Sequence, residues 1–373
     1  MDQVIVDADG HVSERDDSLL NYLPAPFTGK TRLFSHYFFT LSDNFHRSAE
    51  LLLDGAQGAA DREVPTDARQ LEGWQRVLDD SGIRWTALYP GRGLTINKLN
   101  SPEWGGALAR GYNDWLYDRF VARDARLRGV ALLHLAEPIA AAAELRRCVE
   151  DLGYVGAVLM TSGLKTPLGD AVYFPLYEEA QRLGVGVAVH AASSNALGLA
   201  DGARALWEVR ALSHGAGQIL SFLSMVNGGV FDTFPRLRVA FLESGCGWVP
   251  YLVDRMDRVY QGRSQRLARR LKQSPGEHLS GGRIFIHTEL DERMLPVVAE
   301  IAGREDIFLF ASDYPHEPWR AAERGIAEFV DRVDVSDALK WNVLGGAAQR
   351  FYEIDANGAW MDGRVARARV GST

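Results

Sequence analysis

A closed (β/α)8 (TIM) barrel with an irregular N-terminal insertion is the fold that this sequence predicts. Short, near-continuous apolar runs recur along the 373 residues, and helical patterns separate most of them. Such runs read as parallel strands covered by helices. With the opening stretch they come to about eight, the number that closes a barrel. A doubly wound open sheet would instead want a Gly-rich phosphate turn after an early strand, and Gly91-Arg92-Gly93 is a poor match. Length alone would suggest two domains, but a barrel with long loops uses it as one, over 1–373.

The first run, Val4 to Val6, ends in Asp7-Ala8-Asp9-Gly10-His11, with Glu14 just beyond. Asp9 and His11 are two apart, so an extended backbone turns both to one side. Gly10 lets the chain bend there and brings backbone close to a bound group. Carboxylate and imidazole at the tip of a buried strand are costly without a partner, and a divalent metal is the simplest one. The alternative is Asp9 as a turn cap and His11 as a hydrogen-bonded core residue.

Residues 15–70 are polar, aromatic and irregular, and read as a flap. Phe34, Tyr37, Phe38, Phe39 and Phe45 form its aromatic group; His36 and His46 read as surface or packing residues. A helix follows near 66–81. Then come strands at 85–89, 130–134, 155–160, 185–190, 237–243, 283–287 and 307–313. The helices between them fall near 103–122, 140–152, 176–183 and 217–231. Residues 355–373 read as a C-terminal tail, whose last residues, with Arg364, Arg367 and Arg369, read as frayed.

The charge of −8 and the lack of a basic block exclude nucleic acid or an anionic membrane as the main partner. No apolar run is long enough to span a bilayer, and the start lacks a signal-peptide core. Two distant cysteines, Cys148 and Cys246, make no disulfide framework and fit a reducing cytoplasm.

In such barrels the chemistry sits at the C-terminal ends of the strands. Those ends read Asp9 and His11, Tyr89, His134, Met160, His190, Glu243, His287 and Asp313. Core packing explains this poorly, because buried ionisable groups are rare unless paired or liganding.

Asp7-Ala8-Asp9-Gly10-His11, Val189-His190, Glu243 to Tyr251, Ser312-Asp313-Tyr314-Pro315-His316 and Trp341 to Ala347 together resemble the amidohydrolase superfamily. The nearest branch is the amidohydrolase-related group with the metal-dependent decarboxylases of aminocarboxymuconate semialdehyde and resorcylate. The resemblance spans nearly the whole chain. It implies a divalent metal (zinc, manganese or iron) held by Asp9, His11, His190 and Asp313, and a homodimer. Two positions depart from the pattern. Asp9 stands where His or Glu is common. Glu243-Ser244-Gly245 stands where those decarboxylases carry a catalytic His.

Glu14, His214 and Glu243 are further ligand types near the rim. They could hold a second ion, with Glu14 and Glu243 bridging. That set resembles the dinuclear non-haem iron oxygenases of the same group. The other readings are a first-turn carboxylate for Glu14 and a capping or packing residue for His214, at the start of its helix. His287, His316 and Trp248 are candidates for substrate contact, as are Arg92 and Arg210. His134 reads as a satisfied core residue and Cys246 as packing.

The function expected is hydrolysis or decarboxylation of a small organic substrate. Asp313 would hold the metal and shuttle a proton, and Glu243 or His214 would be the second acid or base. A di-iron monooxygenase and a catalytically silent partner subunit are the alternatives, and the ligand set argues against the latter. The aromatic flap and Trp104, Trp207, Trp248 and Trp319 suit an aromatic or terpenoid acid.

Overall fold

A computed structural model describes residues 4–28, 38–39, 64–192, 206–262 and 271–363. Eight parallel strands lie in sequential order: β1 (Ile5–Val12), β2 (Ile83–Pro90), β3 (Leu127–Leu132), β4 (Gly156–Met160), β5 (Gly186–His190), β6 (Val239–Leu242), β7 (Ile284–His287) and β8 (Phe308–Leu309). Between and after them run α1 (Asp67–Ser81), α2 (Pro102–Leu116), α3 (Pro138–Leu152), α4 (Phe174–Leu183), α5 (Leu206–Asn227), α6 (Trp248–Gly262), α7 (Leu295–Ala302) and α8 (Trp319–Asp331). The predicted barrel is the observed one.

The helix ends follow local chemistry. Thr66 caps α1 by accepting from the Arg69 amide, and Ser101 caps α2 just before Pro102. α1 and α3 stop where Gly82 and Gly153 take a left-handed backbone that Cβ-bearing residues resist.

β8 is only two residues long, so its ladder cannot close the barrel unaided. The chain beyond it closes the seam against β1. Ala8 donates to the Phe310 carbonyl (3.0 Å), Asp313 to that of Asp9 (3.2 Å), and His11 to that of Tyr314 (2.7 Å). β1 therefore runs on to Val12, through the ligand cluster, rather than stopping at Val6. A π-helical turn, Asn342–Gly346, packs on β1 from outside and leads into α9 (Ala347–Tyr352). α9 plugs the bottom of the barrel. Phe351 occupies the space a Cβ would need at Gly186, and Tyr352 sends its hydroxyl to the Ala8 carbonyl (2.7 Å) and to Tyr89 Oη (2.6 Å).

Gly10 serves a different purpose from the bend expected of it. A Cβ there would run into the Trp74 ring, which donates from Nε1 to the His11 carbonyl (3.0 Å). Gly10 thus makes room for α1 rather than for a bound group. Gly10→Ala overpacks this contact and should destabilise the fold by about 1–3 kcal/mol. Thermal unfolding checks this, and an unchanged midpoint would mean that Trp74 can move aside.

α5 starts at Leu206 rather than near 217, so His214 lies within the helix and not at its start. The start of the tail packs on the barrel: Trp85 donates to the Asp355 carbonyl (2.9 Å), and Ile354 pairs with Trp360. Within the flap, Phe38 and Phe39 are buried, and Phe27 and Phe38 pack edge-on against Trp104 of α2. Phe34, Tyr37, Phe45, His36, His46 and Arg364 to Arg369 lie outside the described residues.

Candidate active site

β1 carries Asp9 and His11 to the rim and β5 ends on His190, all three buried. His11 Nε2 lies 3.5 Å from Asp9 Oδ1 and 3.4 Å from Asp313 Oδ1. His190 Nε2 lies 3.3 Å from Asp9 Oδ2. The protonation of both rings is set from behind. His11 Nδ1 faces the Pro90 carbonyl (2.9 Å) and His190 Nδ1 that of Ala191; a carbonyl only accepts, so each Nδ1 carries a proton. Each Nε2 therefore faces the cluster.

Glu243 and Asp313 follow β6 and β8, both at positive φ (61° and 51°), a conformation unusual for residues with a Cβ. Glu243 Oε2 lies 3.2 Å from His190 Nδ1, on the side of the ring away from Asp9. His316 donates from Nδ1 to Asp313 Oδ1 (2.9 Å), and its ring lies over that of His11 with centroids 4.3 Å apart.

The charges are strongly coupled. Burial, with His316 nearby, holds His11 down to about 4. Burial also disfavours charge on His190, but Asp9 and Glu243 outweigh it and raise the imidazolium to about 10. Glu243 is pushed up to about 7 by burial, with repulsion from Asp313 and Asp9 set against the pull of His190. Asp313 sits below its ordinary range: burial would raise it, but the His316 hydrogen bond and the His11 charge prevail.

Asp9 Oδ1, His11 Nε2 and His190 Nε2 are buried without a hydrogen-bond partner. Such atoms are costly unless something else satisfies them. Ligands at about 2.1 Å from a tetrahedral centre stand roughly 3.4 Å apart, the spacing of these donors. Mixed nitrogen and oxygen donors suit zinc, manganese or iron. Two overlapping groups could hold an ion, Asp9-His11-His190 and His11-Asp313-His316. They share His11, whose single free nitrogen serves one ion at a time.

The other expected residues are dispersed. Glu14 is buried, and both its oxygens are engaged by backbone amides, Oε2 by Arg92 (2.7 Å) and Oε1 by Gly93 (3.1 Å). These contacts make it an anchor of the loop after β2 rather than a bridging ligand. Glu243 and His214 belong to neither grouping of possible ligands among the described residues. His287 is buried at the end of β7 with Nδ1 unpartnered. Trp248 packs on Phe222 and Phe241, in the helix layer rather than over the cluster. His134 donates to the Leu99 carbonyl (3.0 Å). Cys246 is buried 3.7 Å from Thr288 Oγ1, and burial pushes its thiol up. Arg92 pairs with Asp16 (3.0 Å); the side chains of Arg210 and Trp207 lie outside the described residues.

Three roles escaped the sequence reading, which named Asp7 only within the opening motif and Tyr89 only as a strand end. Asp7 is a buried carboxylate directly behind the cluster, and its spacing of two from Asp9 was the available signal. Glu292 accepts from the Cys246 (2.8 Å) and Gly247 (2.6 Å) amides and from Thr288 Oγ1 (3.1 Å), tying the loop that follows Glu243 to the one after β7. The floor of the site is Tyr89, 5.8 Å from the His190 ring and bonded to Tyr352. Both depend on contacts between residues distant in sequence, and no local pattern announces them.

A (β/α)8 barrel whose rim gathers these donors defines a metal-dependent hydrolase or carboxy-lyase acting on a small organic substrate. The chain belongs to the amidohydrolase family, whose model matches residues 92–354. It is 27% identical over 251 residues, 67% of either chain, to the 2-amino-3-carboxymuconate-6-semialdehyde decarboxylase of Dictyostelium discoideum. It is 26% identical over 329 residues to the gamma-resorcylate decarboxylase of Polaromonas sp. strain JS666, covering 82% of this chain and 95% of that one. Among solved structures it matches the dihydroxybenzoic acid decarboxylase of Polaromonas sp. JS666, bound to manganese and the inhibitor 2-nitroresorcinol. The TM-score is 0.68 at 21% identity, over 94% of this chain and 97% of that one. No helix among the described residues is long and apolar enough to cross a membrane.

Proposed function

We propose that this chain is a single-metal carboxy-lyase that removes carbon dioxide from a small aromatic or conjugated carboxylate. The observation that carries this reading is the set of buried, unpartnered donor atoms on Asp9, His11 and His190 facing Asp313. Asp9, His11, His190 and Asp313 would hold the ion. When bound, it would polarise a substrate oxygen and offset the charge of the carboxylate. The decarboxylase names of the two curated relatives favour loss of carbon dioxide over hydrolysis. Manganese in the Polaromonas structure makes it the first metal to test.

Asp313 and His316 form a proton path. His316 is exposed and meets solvent, and its Nδ1–H points at Asp313 Oδ1, so a proton can pass from the imidazolium to that carboxylate. Asp313 delivers that proton to the carbon bearing the carboxylate; the carbon–carbon bond then breaks and its electron pair returns to the conjugated system as carbon dioxide leaves. Glu243 holds the His190 ring through Nδ1 and is the second acid or base. Glu14, engaged by backbone amides, leaves a two-iron centre short of a bridging carboxylate.

The test is a panel of hydroxybenzoates and conjugated carboxylates, read by ultraviolet loss of substrate and by released carbon dioxide. Chelation should abolish turnover and manganese should restore it, with one ion per chain by elemental analysis. Two irons per chain and an oxygen-dependent product would replace this reading with the oxygenase one. Light scattering reports the assembly, for which a homodimer is expected.

A further inference from the structure

We propose that Asp7 is a positioning residue for the metal centre, acting through Ser312 to fix Asp313 in the backbone conformation that brings its carboxylate to His11. This inference rests on the reading of Asp313 as part of that centre.

Asp7 is fully buried, and its carboxylate collects four donors. Oδ1 accepts from the Ser312 amide (2.9 Å) and the Asp9 amide (3.3 Å). Oδ2 accepts from Ser312 Oγ (2.7 Å) and Thr86 Oγ1 (2.8 Å). A carboxylate so deep is costly unless its oxygens are satisfied, and here two of the four donors belong to one residue beside Asp313.

That residue needs holding. The β8 ladder ends at Leu309, four positions before Asp313. Asp313 sits at a φ of 51°, a conformation that an L residue with a Cβ resists and that persists where the surroundings impose it. Ser312 Oγ donates to Asp7 and accepts from the Tyr314 amide (3.2 Å), so the hydroxyl brackets Asp313 on both sides. The backbone bonds from Asp313 to Asp9 and from His11 to Tyr314 complete the clamp. Thr86 touches the same carboxylate from β2 and makes no contact with the Asp313 segment in this network. It separates a merely structural role from a positioning one.

The experiment titrates metal-free protein with manganese and follows kcat, KM and thermal unfolding for Asp7→Asn, Ser312→Ala, Ser312→Thr and Thr86→Val. Asp7→Asn and Ser312→Ala should weaken manganese binding by about 10–100-fold, the usual cost of losing an orienting partner behind a ligand. Their kcat should fall with little change in KM. Ser312→Thr, which keeps the hydroxyl, should recover most of the affinity. Thr86→Val should lower the unfolding midpoint as much as Ser312→Ala while leaving manganese affinity within about twofold. Equal losses of affinity in Thr86→Val and Ser312→Ala, or no loss in either, would overturn the inference while the wild-type affinity upholds the metal reading. A wild-type chain that binds no manganese, zinc or iron would overturn both.

Discussion

Replacing His190 with alanine should strip the protein of its metal and lower kcat/KM by at least about 10³-fold, roughly 4 kcal/mol of transition-state stabilisation. His190 is fully buried at the end of β5, and its Nε2 is one of three orphaned donor atoms at the centre of the cluster. Asp9 alone meets two imidazoles, at 3.5 and 3.3 Å. Without His190, the carboxylate of Asp9 loses the imidazolium or the metal that balances it, and no other donor in the described groups takes that place. Metal content and kcat/KM are measured together, with circular dichroism to confirm the fold. A variant that kept its ion and a tenth of its activity would remove His190 from the centre.

Glu243→Gln should behave differently: kcat falls by about 10²–10³-fold while metal content holds at the wild-type level. Glu243 meets His190 at Nδ1, the nitrogen turned away from Asp9, so its carboxylate lies behind the ring. Glutamine keeps the size and an acceptor for the Nδ1 proton but cannot exchange a proton of its own. The carboxyl, pushed up to about 7, is protonated below that pH and ionised above it. The wild-type rate profile should therefore carry a limb near neutrality that Glu243→Gln lacks. Loss of half the metal from the variant would instead make Glu243 a ligand of a second ion.

The strands and the rim were legible from sequence because each is a local event. A buried parallel strand is a short apolar run, and a rim residue is the first ionisable side chain after it, as in Val189-His190 or Leu242-Glu243. Side-chain direction was less legible. Glu14 stands three residues past His11 and has the chemistry of a ligand. Its carboxylate is nonetheless taken by two amides of a loop nearly eighty positions away, a pairing that no spacing reveals. Trp248 likewise follows Glu243 closely but packs on Phe222 of α5, because α6 begins with it and turns it into the helix layer. Gly10 was read through its conformation when its lack of volume matters, since only the fold brings Trp74 beside it.

The floor of the site has a consequence for how the chain is made. Asp9 and His11 are made long before Tyr352, the residue that supports the floor from below through Tyr89 and the Ala8 carbonyl. Asp313, Ser312 and the seam against β1 also come late. Asp9 and His11 must therefore wait, incomplete, until the segment from Ser312 to Tyr352 has been made. Metal uptake would thereby be tied to synthesis of that segment: a product truncated before Ser312 carries Asp9, His11 and even His190, yet it has neither the plug nor the closing segment that would make them a centre.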